Sequence, residues 1–326
     1  MDTINRIYLA ISNLKGIGVK TLVQIPYEVI STLSDELDIH AYIQSDNFPL
    51  KRKSVKELTI DDVKTALKKA EDTIQNSESH RVSIITVFDA KYPEQFKRLD
   101  NYPPIFFAKG NVGALKGDSI AVIGTREPSE IGKKWGTRLS ELLTSKGFSI
   151  VSGLALGSDS CGHRGSINAG GKTIAVLPCS LEQVYPTSNK NLLEEILSHD
   201  GCAISEYPVG AAMNKSNFVE RDRLQSGLAL GVAVIETGIV GGTWHAVNTA
   251  IKMNIPVGFL DYGDEHYKSF ECAAGNKVGI IERGGIALKD PSSIDAFINK
   301  CRNLDCDSAN ISLDTSAVQG SLFLEY

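Results

Sequence analysis

The sequence predicts an α/β protein, with a doubly wound, mostly parallel Rossmann-like sheet preceded by a small helical domain. Three observations carry this. From Ile120 onward, short apolar and β-branched runs alternate with amphipathic stretches, the pattern of parallel strands covered by helices on both faces. Residues 1 to about 80 instead place apolar side chains at helical spacing. Between the two, the polar "NSESHR" marks a change of pattern, and "VSIITVF" is the first strand.

Taken in order, "RIYLAISNLKGIGVKTLVQI" puts helices on both sides of "KGIGVK", a helix-hairpin-helix or SAM-like arrangement. "TIDDVKTALKKAEDTI" follows as an amphipathic helix with Thr59 or Asp61 as its cap. From 82 to about 115 the chain carries a Pro-Pro turn and a short aromatic strand, "IFFAKGN". Strand "IAVIG" then leads to a helix near 130–145, and "FSIV" to a helix near 158–168. "TIAVL" precedes "NKNLLEEIL", "CAIS" precedes "VERDRLQSGLA", "GVAVIE" precedes "TWHAVNTAIKM", and "PVGFL" ends the series. The expected domains are helical over 1–80 and Rossmann-like over 81–300. A polar, acidic tail over 301–326 follows and is loosely ordered or docked by Leu322 to Tyr326.

The composition is that of a soluble chain able to bury a core, with 42% hydrophobic and 22% charged residues among 326. No apolar run reaches the roughly 18 residues of a membrane span, so no membrane partner is expected. Asp2 ahead of Arg6, and polar residues in the apolar run, argue against a signal peptide. Six scattered cysteines read as reduced thiols, which places the protein in the cytoplasm. Cys161, His163, Cys179 and Cys202 lack the paired spacing of a metal site, and Cys301 and Cys306 have no histidine nearby. No metal and no cofactor are expected. A net charge of −5, balanced between 120 and 260, means that any anion site must arise from placement.

Placement is what the loops offer. "GTREPS", "SGLALGSDS" and "TGIVGGTWH" each leave a strand and enter a helix start, where unpaired N–H groups and the helix dipole favour an anion. Ser129 and Ser158 could equally be N-caps, and Gly124, Gly153, Gly157, Gly241 and Gly242 simple turn glycines. Arg126 could fork onto a phosphate or pair with Glu127 or Glu130. Lys172 sits at the amino end of a strand, where geometry alone does not favour it. Arg221 and Arg223 are read at a helix start, where cations oppose the dipole unless an anion binds. His163 is either a packing residue or a phosphate contact. In the N-terminal segment, Gly16 and Gly18 with Lys20 could meet one phosphate, or form a plain turn. The loops lack G-x-G-x-x-G and any Walker pattern, which disfavours a dinucleotide enzyme. No catalytic constellation is visible.

With these residues assembled, the chain resembles the DNA-processing protein A family, also called Smf. The resemblance runs from about Phe88 to Phe297 through "IAVIGTREPSEIGKKWG", "IVSGLALGSDSCGHRGSINAGGKTIAVLPCSLEQVYPTSNKNLL", "NFVERDRLQSGLALGVAVIETG" and "GNKVGIIERGGIAL". It implies a non-enzymatic protein that binds single-stranded DNA, dimerises and helps load a RecA-type recombinase in DNA uptake and recombination. The matching motifs carry Arg126, Ser129, Ser152, Gly153, Lys172, Arg221 and Arg223 over as phosphate contacts, and the same reading includes Gly124, His163, Gly242 and Thr243. Asp222 stands where the family has asparagine, and "VGGTWHA" replaces "SGS-x-x-TA", bringing in Trp244 and His245. The competing reading is a diverged nucleotide sensor or a phosphoribohydrolase-like enzyme, whose "PGG-x-GT-x-x-E" loop is only partly echoed by "VGGTWHA".

Overall fold

A computed structural model describes the backbone of residues 3–318, and the side chains within that span except residue 266 and residues 305–318. Leu322 to Tyr326 lie outside the described residues. Elements are numbered in chain order. Two compact units divide the chain: one is formed up to Gly117 together with Ile174–Leu224, the other by Asp118–Thr173 together with the chain from Gln225.

The first unit opens with helices α1 (Thr3–Ser12), α2 (Val19–Leu22), α3 (Tyr27–Ile30), α4 (Glu36–Gln44), α5 (Lys53–Lys56) and α6 (Ile60–Ser79). Thr59 caps α6, accepting from the Asp62 N–H at 3.2 Å while its own N–H donates to the Asp62 carboxylate at 2.8 Å. The apolar faces of these helices close over Ile7, Tyr8, Ile11, Ile30, Ile43, Phe48 and Val63, all essentially buried, with Ile84, Phe88 and Ile105 packed against them. Strands β1 (Ser83–Thr86) and β2 (Ile105–Gly110) supply that second layer. With β5 (Thr173–Val176) and β6 (Cys202–Ser205) the order is β1-β2-β6-β5. The β1–β2 and β2–β6 pairs are antiparallel and β5–β6 is parallel. Helix α9 (Lys190–Ser198) and the part of α10 (Ser216–Leu228) up to Leu224 complete the unit.

In the second unit, β3 (Ser119–Ile123), β4 (Ser149–Ser152), β7 (Gly231–Val234), β8 (Val257–Leu260) and β9 (Ile286–Leu288) run in the order β4-β3-β7-β8-β9, each pair parallel. Helices α7 (Glu130–Ser145), α8 (Ser158–Asn168), α11 (Thr243–Lys252), α12 (Asp264–Ser269), α13 (Glu271–Glu282) and α14 (Pro291–Val318) join them. Strands β3, β7 and β8 are buried along their length, as their unbroken apolar runs require. The α7 and α8 helices meet backbone to backbone. A Cβ at Gly165 would stand 2.3 Å from the Thr137 carbonyl oxygen and 2.6 Å from the Ser140 Cβ, so only glycine allows the approach. The α14 helix presses Phe297 and Cys301 onto β7 at Gly231, where a Cβ would lie 2.3 Å from the Cys301 Sγ.

The neighbour of Gly165 is backbone and cannot swing aside. Gly165→Ala is therefore expected to cost roughly 2 kcal/mol or more in urea unfolding. An unchanged midpoint would show that the helices are not in backbone contact.

Candidate functional site

In the second unit β3 has β4 on one side and β7 on the other, so the strand order reverses at β3. Loops leaving the carboxyl ends of strands on the two sides of such a point diverge, and ligands of open α/β sheets enter there. Here the loops are Gly124–Ser129, from β3 to α7, and the segment from Ile235 to Gly242, from β7 to α11. The Thr125 N–H donates to the Glu236 carbonyl at 2.7 Å and joins them. A Cβ at Gly124 would stand 2.5 Å from the Ser158 Oγ and 2.7 Å from the Glu236 carbonyl oxygen, so Gly124 is a packing glycine.

A residue that the sequence did not single out governs this place. Glu236 is fully buried, and its carboxylate accepts from the Ser129 N–H at 2.7 Å and the Ser129 hydroxyl at 2.7 Å. The Cys272 thiol donates to it at 3.5 Å; burial and the neighbouring carboxylate push that thiol up to about 11, so it stays protonated as a donor. Ser129 in turn accepts from the Gly132 N–H at 3.0 Å and caps α7. A Cβ at Gly132 would stand 2.5 Å from the Glu236 carboxylate. The anion expected at the start of α7 is thus the protein's own, placed where the helix dipole favours it. Ser129 is corrected from a ligand contact to a support for Glu236.

The next loop repeats the device. The Asp159 carboxylate accepts from the Gly153 N–H at 3.1 Å and the Ala155 N–H at 3.2 Å, so the Gly153 donor is directed inward. Ser152 is fully buried and donates to the Val122 carbonyl at 2.6 Å, and His163 is fully buried with its Nδ1 2.7 Å from the Thr173 hydroxyl. Neither is accessible from the rim, which corrects both. Gly157, at φ +73°, holds the N-cap position that Ser158 was expected to fill.

Arg126 is exposed at the tip of the first loop. Its backbone is fixed against the neighbouring loop, because its carbonyl oxygen lies 2.3 Å from where a Cβ at Gly157 would stand. At the start of α11, Gly242 is the N-cap residue and no side chain caps the helix. A Cβ at Gly241 or Gly242 would meet nothing within 4 Å, so this approach to Thr243 is open. The Trp244 indole turns back to donate to the Gly238 carbonyl at 2.9 Å and braces the loop from below.

The remaining cations are placed otherwise. Lys172 is exposed, but its carbonyl accepts from the Ile150 N–H at 3.2 Å near the start of β4. Its backbone lies toward the amino ends of the strands, and the structure does not bring it to the rim that carries Arg126. Arg221 and Arg223 belong to the first unit. The α10 helix begins at Ser216, so both lie well inside it, and the dipole argument for a bound anion falls away. Arg221 is 5% exposed and donates to the Val176 carbonyl at 2.6 Å and to Asp222 at 3.1 Å. Arg223 bridges both oxygens of Glu206, at 2.6 and 2.8 Å. Burial raises the Glu206 carboxyl above its usual range, against the pull of Arg223. In the N-terminal turn Gly16, at φ +87°, and Gly18 are exposed beside Lys15 and Lys20, with Ile17 buried as the anchor.

Two stability tests follow from these carboxylates. Glu236→Ala strands the half-buried Ser129 hydroxyl and N–H group, and should cost about 1–2 kcal/mol. Arg223→Ala leaves Glu206 charged, half-buried and without its bidentate partner, for a loss of about 2–3 kcal/mol at neutral pH. Because the folded carboxyl titrates above the unfolded one, its destabilising effect sets in as pH rises through that window. The Arg223→Ala penalty should therefore shrink as pH falls into the carboxylate range; a constant penalty would contradict the pairing.

The family model described as DNA recombination-mediator protein A matches residues 83–289. Protein Smf of Synechocystis is 31% identical over 238 residues, 71% of this chain and 58% of that protein, so the chain spans little more than half that relative's length. The X-ray structure of DNA processing protein A from Streptococcus pneumoniae shares the fold, with a TM-score of 0.71, 24% identity, and coverage of 91% of this chain and 98% of that one. A structure of DNA processing protein A from Helicobacter pylori, concerned with its single-stranded DNA binding mode, aligns with a TM-score of 0.58 at 28% identity, covering 68% of this chain and 96% of that one. With the match spanning β1 to β9 and every loop of the rim, the chain belongs to the DNA recombination-mediator protein A family.

Proposed function

We propose that this chain binds single-stranded DNA without chemistry, and that as a cytoplasmic homodimer it protects the strand and hands it to a RecA-type recombinase in DNA uptake and recombination. The observation that carries the reading is the point where the strand order reverses, with exposed Arg126 on one loop and the open Gly241–Thr243 helix start on the other. A guanidinium and the Gly242 and Thr243 N–H groups fit successive phosphates of a flexible strand, while the Trp244 and His245 N–H groups donate to the Gly241 and Gly242 carbonyls. The Helicobacter pylori relative, described by its single-stranded DNA binding mode, supports the same ligand. Lys172, Gly16, Gly18 and Lys20 are secondary contacts in this reading. A binding role also fits the carboxylates, since Glu236 and Asp159 are engaged by the protein's own donors. The α11 helix opens Thr-Trp-His-Ala, with no carboxylate for a hydrolase reading.

Arg126→Ala should weaken binding of a labelled oligonucleotide roughly tenfold and reduce the slope of log affinity against log salt by about 0.7, the loss of one phosphate contact. Fluorescence anisotropy across a salt series checks this. Unchanged affinity and slope would remove Arg126 from the site.

A further inference from the structure

The loop from β7 to α11 carries a feature that phosphate binding does not use. Ile239 and Val240 are 63% and 85% exposed, although both are large and apolar. The loop that holds them is pinned at its base. The Thr237 N–H donates to the buried Asn276 at 2.9 Å, the Gly275 N–H donates to the Thr237 carbonyl at 2.8 Å, and the Trp244 indole holds the Gly238 carbonyl at 2.9 Å. Beyond the tip, Gly241 and Gly242 leave open space. The two side chains are thus presented by an anchored base, where the loops leaving β3 and β7 diverge and beside the loop that carries Arg126. On the other side of β3, Leu156 in the loop from β4 to α8 is 46% exposed.

We infer that the Ile239–Val240 tip contacts the bases of a bound single strand while Arg126 and the start of α11 hold its phosphates. This rests on the single-strand reading above and names the part of the ligand that the apolar tip meets. A single strand offers an anionic backbone and flat apolar faces in alternation, and the rim offers cationic and apolar groups side by side. Aliphatic contact with a base face needs no hydrogen-bond pattern, so it is indifferent to sequence, as other base-face contacts are. A duplex keeps those faces inside its stack and cannot offer them, so the tip favours single over double strands.

The test uses the full chain with two oligonucleotides of equal length, one of thymidines and one of abasic residues, read by anisotropy, with thermal melting to verify folding. The native protein should bind the thymidine strand at least about tenfold more tightly than the abasic one. The double variant Ile239→Ser, Val240→Ser should lose that preference while its affinity for the abasic strand falls less than about twofold, and Ile239→Leu, Val240→Leu should keep the preference. A serine variant that retains the preference, or that weakens both strands in parallel, overturns the inference and leaves the phosphate reading standing. A folded native protein that binds neither strand at low salt overturns both.

Discussion

The buried carboxylate of Glu236 is the constraint around which the rim is organised. A charge taken out of water is tolerated only where donors replace the lost hydration. Here the donors come from the Ser129 backbone, the Ser129 hydroxyl and the Cys272 thiol. One side chain at the end of β7 thereby fixes the entry to α7 and the first turn of α13. The glycine at 132 follows, because no larger residue fits beside the carboxylate, and its N–H completes the Ser129 cap. The loop that carries Arg126 therefore has its shape before any ligand arrives, and a preformed site loses less freedom on binding.

This arrangement separates two kinds of charge that the same residue types can supply. Asp159 and Glu236 are anions directed inward, where they satisfy backbone donors. Arg221 and Arg223 are cations directed inward, engaged by a carbonyl, by Asp222 and by Glu206. Arg126 differs from both by its exposure at a loop tip. With a net charge of −5 over the chain, attraction for a polyanion depends on where cations are presented rather than on their number.

Much of the fold was legible in the sequence because its signals are local. The apolar run "SIAVI" and the glycine after it define β3, and helical spacing with the Thr59 cap defines α6. The β9 strand was not legible, since three residues between a pair of glycines and a polar loop carry no period. The antiparallel pairing of β1 and β2 was equally hidden, as alternation does not encode direction. At the site, loops and glycines were readable, but burial was not. Nothing near Glu236 in the sequence announces its partner, which lies 107 positions earlier. Arg221 and Arg223 were misplaced because α10 begins at Ser216, ahead of the amphipathic stretch that marked it.

Internal carboxylates build the rim, and the proposed external polyanion binds on it without displacing them. A crystal structure of the protein with a short single-stranded oligonucleotide tests this most directly. Phosphate groups are expected at the Arg126 guanidinium and the Gly242–Thr243 backbone, with Glu236 still bonded to Ser129. A strand bound at another edge of the sheet, or a phosphate in the place of the Glu236 carboxylate at the start of α7, would contradict it.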